Sequence, residues 1–317
     1  MAEETKKTKA GKKSAAKNTK SGKDEISGYG SGSVDVVMSV DQVAAEAALI
    51  AESAPKIPEL EALTSGEAFV SLNNLRAGYG KMEILHDFNL RIGKGQSLCL
   101  IGPNGAGKTT LFALISGFLK PDSGAVTFNG AAITGQRPHQ ICHKGLVRTF
   151  QVVQPFAGLT VRENIAVGAH TRVAGRAAAL AAAGEIAQMV GMGAQLDQSA
   201  GDLTIAGRKR LELARALATG PKLLLLDEVM AGLNATEIAD LVAVVRKIRD
   251  SGVTIFLIEH VMQAVMSLSD YTYVLNHGAM IAEGQPSQVT KDPNVIEAYL
   301  GHGAAKRLLA MEATADA

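Results

Sequence analysis

The stretch "SLCLIGPNGAGKTTLFALI", Ser97 to Ile115, decides the fold. A short apolar run of strand-like length enters a glycine-rich turn, and the turn leads into an apolar segment of helix formers. The turn matches the spacing GxxxxGK[ST] through Gly102, Gly107, Lys108 and Thr109. Glycines in this order let successive backbone N–H groups turn toward phosphate oxygens, and the N-terminus of the following helix adds positive potential. Lys108 then reaches the terminal phosphates, and Thr109 offers its hydroxyl to Mg²⁺. Asn104, Gly105 and Thr110 belong to the same expected cradle. A strand before the loop and a helix after it make this a nucleotide site, with ATP and Mg²⁺ as the expected ligands.

Two further runs support a parallel sheet around that loop. "KLLLLDE" (Lys222 to Glu228) and "VTIFLIE" (Val253 to Glu259) are continuously apolar and end in acids, as strands buried on both faces do. In an extended chain the adjacent carboxylates of Asp227 and Glu228 point to opposite sides. Asp227 is then free for the Mg²⁺ shell while Glu228 faces the attacking water as its base or orienter. Upstream, "AFVSLNNLRAGY" and "EILHDFNLRI" alternate with turn signals as β-structure, and "GRAAALAAAGEIAQMVGM" (Gly175 to Met192) reads as helical.

The ends of the chain differ from this body. Eight lysines fall between Lys6 and Lys23, so the remainder carries the negative balance in a chain of net charge +1. Residues 1–33 are rich in Lys, Ser, Gly and Ala and are expected to be disordered. Residues 34–66 are apolar and acidic with helical spacing, which suggests a short appended helix and linker. Residues 303–317 are set aside as a C-terminal tail. The two cysteines, Cys99 and Cys142, have no metal-ligand spacing, and Cys99 reads as a buried free thiol. No run approaches the ~20 apolar residues that span a bilayer, and the Lys-rich start lacks the apolar segment of a signal peptide. Contact with a membrane is therefore expected to be peripheral.

From about Ala68 to Gly301 the chain resembles the ATP-binding subunit of an ABC transporter, with the family's motifs in order. The resemblance implies a P-loop ABC ATPase cassette over 67–302: a mixed-sheet α/β core, an antiparallel β subdomain and a helical subdomain inserted at about 152–218. It also implies roles for particular residues. Tyr79 in "AGYG" stacks on adenine. Gln151 in "RTFQ" meets Mg²⁺ and the attacking water, and its loop faces the membrane subunits. Asn234 in "AGLN" ends the loop that crosses the dimer interface. His260 in "LIEH" senses the γ-phosphate. "LTIAG" stands where the family usually has LSGGQ, so Thr204, Ala206 and Gly207 become contacts to the ATP held by a second cassette. The helix-capping hydroxyl of Thr204 keeps that chemistry, whereas Ile205 disfavours the positive φ a glycine allows. Val229 replaces the proline common after the acid pair.

The segment from Glu259 to Gly301 and "VRTFQVVQPFAGLTVRENIAVG" are similar to cassettes of high-affinity branched-chain amino acid importers. That likeness implies a peripheral subunit on the cytoplasmic face of the inner membrane. Its expected partners are membrane permease subunits, a second cassette of the same or a different chain, and indirectly an extracytoplasmic solute-binding protein. No specific nucleic acid is expected. Two other readings stay open at this point: a soluble ABC ATPase acting on ribosomes or DNA, and a lipid or lipopolysaccharide exporter cassette.

Overall fold

In the computed structural model, residues 68–300 are described. The Lys-rich stretch 1–33, the expected helix within 34–66 and the tail 303–317 lie outside the described residues.

The chain opens with a hairpin, β1 (Val70–Tyr79) and β2 (Met82–Ile92), followed by the buried strand β3 (Ser97–Ile101) and helix α1 (Lys108–Ile115). Strands β4 (Ser123–Phe128) and β5 (Ala131–Ala132), helix α2 (Pro138–Lys144) and strand β6 (Leu146–Arg148) come next. A helical stretch then contains α3 (Val161–Ala169), α4 (Arg176–Met189) and α5 (Ile205–Ala218). The chain returns through β7 (Leu223–Asp227), α6 (Ala235–Asp250), β8 (Thr254–Ile258), α7 (Met262–Leu268), β9 (Tyr271–Asn276) and β10 (Ala279–Gly284). Two helices, α8 (Pro286–Val289) and α9 (Pro293–Leu300), finish the described chain.

These strands form two sheets. One is antiparallel in the order β2-β1-β4-β5, and the other is mixed in the order β10-β9-β3-β8-β7-β6, with only β10 antiparallel to its neighbour. Every residue of β3, β7 and β8 is buried, as their unbroken apolar character requires. One apolar cluster lies between the antiparallel sheet, α1 and one face of the mixed sheet, around Leu98, Leu100, Phe112 and Phe256. The other face carries Leu224, Leu226, Ile255 and Leu257 and joins them to α3–α7. Within the helical stretch α4 presents Ala179, Ala183 and Ala187 at four-residue spacing, a narrow buried stripe. Helix α3 approaches α5 closely at Gly168, where a Cβ would sit 2.3 Å from the carbonyl oxygen of Arg215. Gly168, together with the alanine stripe of α4, leaves little space between these helices.

Candidate active site

Strand β8 is hydrogen-bonded to both β3 and β7, and the register sets Leu100 and Asp227 on either side of Ile258. The turns after these three strands therefore open on one edge of the sheet. The crevice beyond the carboxyl ends of parallel strands is where α/β folds bind ligands.

The first of these turns is the glycine-rich loop. Gly102 has φ 152, and a Cβ added to it would lie 2.0 Å from the carbonyl oxygen of Leu275, so only glycine fits between β3 and β9. Gly107 caps α1 in the left-handed region. Lys108, the first residue of that helix, folds its side chain back along the loop. Its Nζ donates to the carbonyl oxygens of Gly102 at 2.7 Å and Pro103 at 3.0 Å. An ammonium has three donors, so the loop anchors this charge and leaves one N–H for a phosphate. Burial lowers the Lys108 pKa, while Glu228 and Asp227 raise it. Thr110 is buried, whereas Asn104, Gly105 and Thr109 are exposed. Asn104 and Gly105 border a cleft of about 850 Å³, and Thr109 borders another of about 890 Å³ that it shares with Arg148, Gln151 and Asp227.

The second turn carries the acid pair. Asp227 is 2% exposed, and its Oδ2 accepts from Arg148 at 2.6 Å. Burial raises its pKa, opposed by the hydrogen bond and charge of Arg148. The Arg148 guanidinium lies 5.8 Å from the Phe112 ring centroid and 5.4 Å from that of Phe150, so two aromatic faces hold it against the carboxylate. The chain is not extended through the pair: β7 ends at Asp227, and Glu228 takes φ 50, the left-handed region. The two carboxylates diverge because of that turn rather than because of strand alternation. Glu228 Oε2 accepts from Gln151 Nε2 at 2.6 Å, and its Oε1 lies 4.0 Å from His260 Nδ1. Gln151, Glu228 and His260, from three separate segments, thus converge on one point.

The third turn follows β8. His260 is exposed, while the preceding Glu259 is 1% exposed and accepts from the Met230 backbone N–H at 2.9 Å. Desolvation pushes Glu259 up to about 7, against the pull of the Met230 N–H and Lys209. A carboxyl whose folded pKa exceeds its unfolded value binds more protons in the native state. Stability from this group is therefore full below about 4.5 and declines as pH rises toward 7, by ~3 kcal/mol at most. The Glu259→Gln variant is expected to lose that part of the decline, read as a flatter Tm between pH 5 and 7.5 in calorimetry.

The other positions singled out in the sequence lie apart from this cluster. Tyr79 closes β1 with its side chain 58% exposed. Thr204 is the N-cap of α5 and its Oγ1 accepts from the Gly207 N–H at 3.2 Å, with Ala206 and Gly207 half-buried in the first turn. Ile205 is the first helical residue and points outward, 62% exposed, so no positive φ is needed there. Asn234 caps α6 in a reciprocal pair with Glu237, each side chain accepting from the other's N–H at 3.0 Å. Thr204, Ala206, Gly207 and Asn234 border neither of the clefts beside the phosphate loop. Sequence reasoning missed four charged residues that hold the cluster: Arg148, Lys209, Glu212 and Glu259. Glu212 accepts from the Phe150 N–H at 2.7 Å and so fixes the segment leading to Gln151. The signal available was a charge inside an apolar pattern, as in "LELARAL" and "FLIEH".

A phosphate loop, a buried strand ending in Asp227 and a carboxylate converging with Gln151 and His260 define a P-loop nucleoside triphosphatase. Comparison with known proteins makes the class specific. The model of the ABC transporter family matches residues 85–231, and that of the branched-chain amino acid ATP-binding cassette transporter matches residues 279–305. BraF, a high-affinity branched-chain amino acid transport ATP-binding protein of Pseudomonas aeruginosa, is 39% identical over 73% of this chain and 97% of its own length. LivG of Escherichia coli K12, described in the same words, is 36% identical over 74% of this chain and 98% of its own. Among solved structures, the ADP conformation of MJ1267, an ATP-binding cassette of an ABC transporter, aligns with TM-score 0.69 and 32% identity. It covers 75% of this chain and all of that one. The chain belongs to the ATP-binding cassettes of ABC transporters, which are ATPases.

Proposed function

We propose that this protein is the ATP-hydrolysing subunit of an importer for branched-chain or related amino acids. The observation that carries the catalytic part is the 2.6 Å bond from Gln151 Nε2 to Glu228 Oε2, with His260 beside the other oxygen. In this reading the loop from Gly102 to Thr110 cradles the phosphates, Lys108 faces the terminal ones, and Tyr79 stacks on the adenine. Gln151 and Glu228 orient a water in line with the γ-phosphate, and Glu228 takes its proton. His260 donates to the γ-phosphate and steadies it.

The site suits Mg²⁺. Thr109, Gln151 and Asp227 open on one cleft and offer hydroxyl, amide and carboxylate oxygens, the hard donors this ion prefers. Arg148 occupies Oδ2 of Asp227, so the second carboxylate oxygen is the one assigned to the ion. The bound ion would supply charge neutralisation on the transferred phosphate.

Thr204, Ala206, Gly207 and Asn234 are assigned to the ATP of a second cassette, so that two protomers close over two nucleotides and reopen after hydrolysis. None of the described helices is long and apolar enough to cross a membrane. Attachment to permease subunits is assigned to the 890 Å³ cleft, whose wall includes the exposed Phe150, Val152, Phe156 and Val167. In this reading the protein works at the cytoplasmic face of the membrane. The amino-acid assignment is supported by the matched segment 279–305 and by the names of the relatives. Affinity purification from native membranes is expected to recover two permease subunits, with a solute-binding protein encoded or copurified alongside that binds leucine, isoleucine or valine. Recovery of ribosomes or DNA instead, or a binding protein indifferent to amino acids, would overturn it.

A further inference from the structure

The turn that carries Glu228 is strained, and two buried charged side chains to which the motifs assign no role hold it. A non-glycine residue at φ 50 is disfavoured and persists only where its surroundings over-determine it. Val229 follows, without the ring by which proline would fix the backbone there. The Glu228 N–H donates to Ile258 O at 3.0 Å, which ties the start of the turn to β8. Its carbonyl oxygen accepts from Lys209 Nζ at 3.0 Å, and two residues on, the Met230 N–H donates to Glu259 Oε1 at 2.9 Å. Lys209 is 8% exposed and Glu259 is 1% exposed, so both anchors act out of water, where such bonds are strong and costly to lose. Glu259 Oε2 is buried with no hydrogen-bond partner, while the carboxyl also feels the backbone N–H of His260.

We infer that Lys209 and Glu259 are positioning residues that clamp the left-handed turn of Glu228 and so aim its carboxylate at Gln151 and the attacking water. The inference rests on the reading of Glu228 as the group that activates water. Lys209 adds a second consequence, because it sits on α5, the helix that Thr204 caps. A rigid helix of 1.5 Å rise per residue joins the capped end to the clamp over five residues. The helix proposed to touch a second cassette's ATP is therefore bonded, within its own protomer, to the carbonyl of the catalytic carboxylate's residue. Movement of α5 on dimer closure is transmitted to the Glu228 turn by that bond. Burial lowers the Lys209 pKa, opposed by the charges of Glu259, Glu212 and Glu228.

The test is steady-state hydrolysis and ATP affinity in the assembled transporter, for Lys209→Met, Glu259→Ala and Lys209→Met combined with Glu228→Gln. Misaiming a reacting group by about 1 Å costs ~10²-fold, so Lys209→Met is expected to lower kcat ~10- to 100-fold with the KM for ATP changed by less than about threefold. Glu259→Ala is expected to show the same split, and it decides the matter if Lys209→Met does not fold. Combined with Glu228→Gln, Lys209→Met should lower the residual rate by no more than about twofold, because both act on one group. A Lys209→Met or Glu259→Ala kcat within about threefold of wild type, or fully additive loss in the combined variant, overturns the clamp. Unimpaired turnover in Glu228→Gln alone would instead remove the base assignment on which it rests.

Discussion

Replacing Lys108 with alanine is expected to abolish nucleotide binding at working ATP concentrations without unfolding the protein. The ammonium is anchored by the carbonyl oxygens of Gly102 and Pro103, in a position that only the loop's own backbone defines. A charge-assisted hydrogen bond to phosphate contributes up to ~3 kcal/mol, so losing the one N–H that faces the terminal phosphates weakens ATP by up to ~10²-fold. Stability without nucleotide should change little. Truncation leaves two carbonyls short of a partner but also removes a charge whose burial the fold opposes, as the lowered Lys108 pKa shows. The measurement is the ATP-induced rise in Tm. A ligand at about 100 times its Kd stabilises by ~2.7 kcal/mol, a shift of several degrees that should be present in wild type and absent in Lys108→Ala.

Replacing Glu228 with glutamine is expected to separate binding from chemistry. Glutamine has the same shape and still pairs with the Gln151 amide, so the geometry of the turn and the phosphate cradle are kept. It cannot take a proton. General-base catalysis contributes ~10²–10⁴-fold, and turnover should fall by that amount. Because ATP is then bound but not consumed, the closed state of the two cassettes should accumulate.

Much of this was legible in the sequence, for physical reasons that differ by residue. The run Ser97 to Ile115 could be read because glycine spacing, a buried strand and a helix start coincide within one local segment. Gly102 is the extreme case, since no side chain fits there. The strands β7 and β8 were legible because burial on both faces demands unbroken apolar runs. What local pattern could not show was partnership across the chain. Arg148 and Asp227 are a buried pair seventy-nine positions apart, and Lys209 reaches the Glu228 carbonyl from helix α5. The extended conformation expected at Glu228 failed for the same reason, since a left-handed residue there is selected by those distant anchors. Ile205 was judged by the glycine it replaces, but in the fold it opens a helix and needs no unusual φ.

The most direct test is to measure ATP binding and phosphate release side by side in the transporter assembled with wild type or Glu228→Gln. ATP affinity within about threefold of wild type, together with phosphate release slowed ~10²-fold or more, is the outcome expected if Glu228 activates the water held with Gln151 and His260. Phosphate release within about twofold of wild type would contradict it.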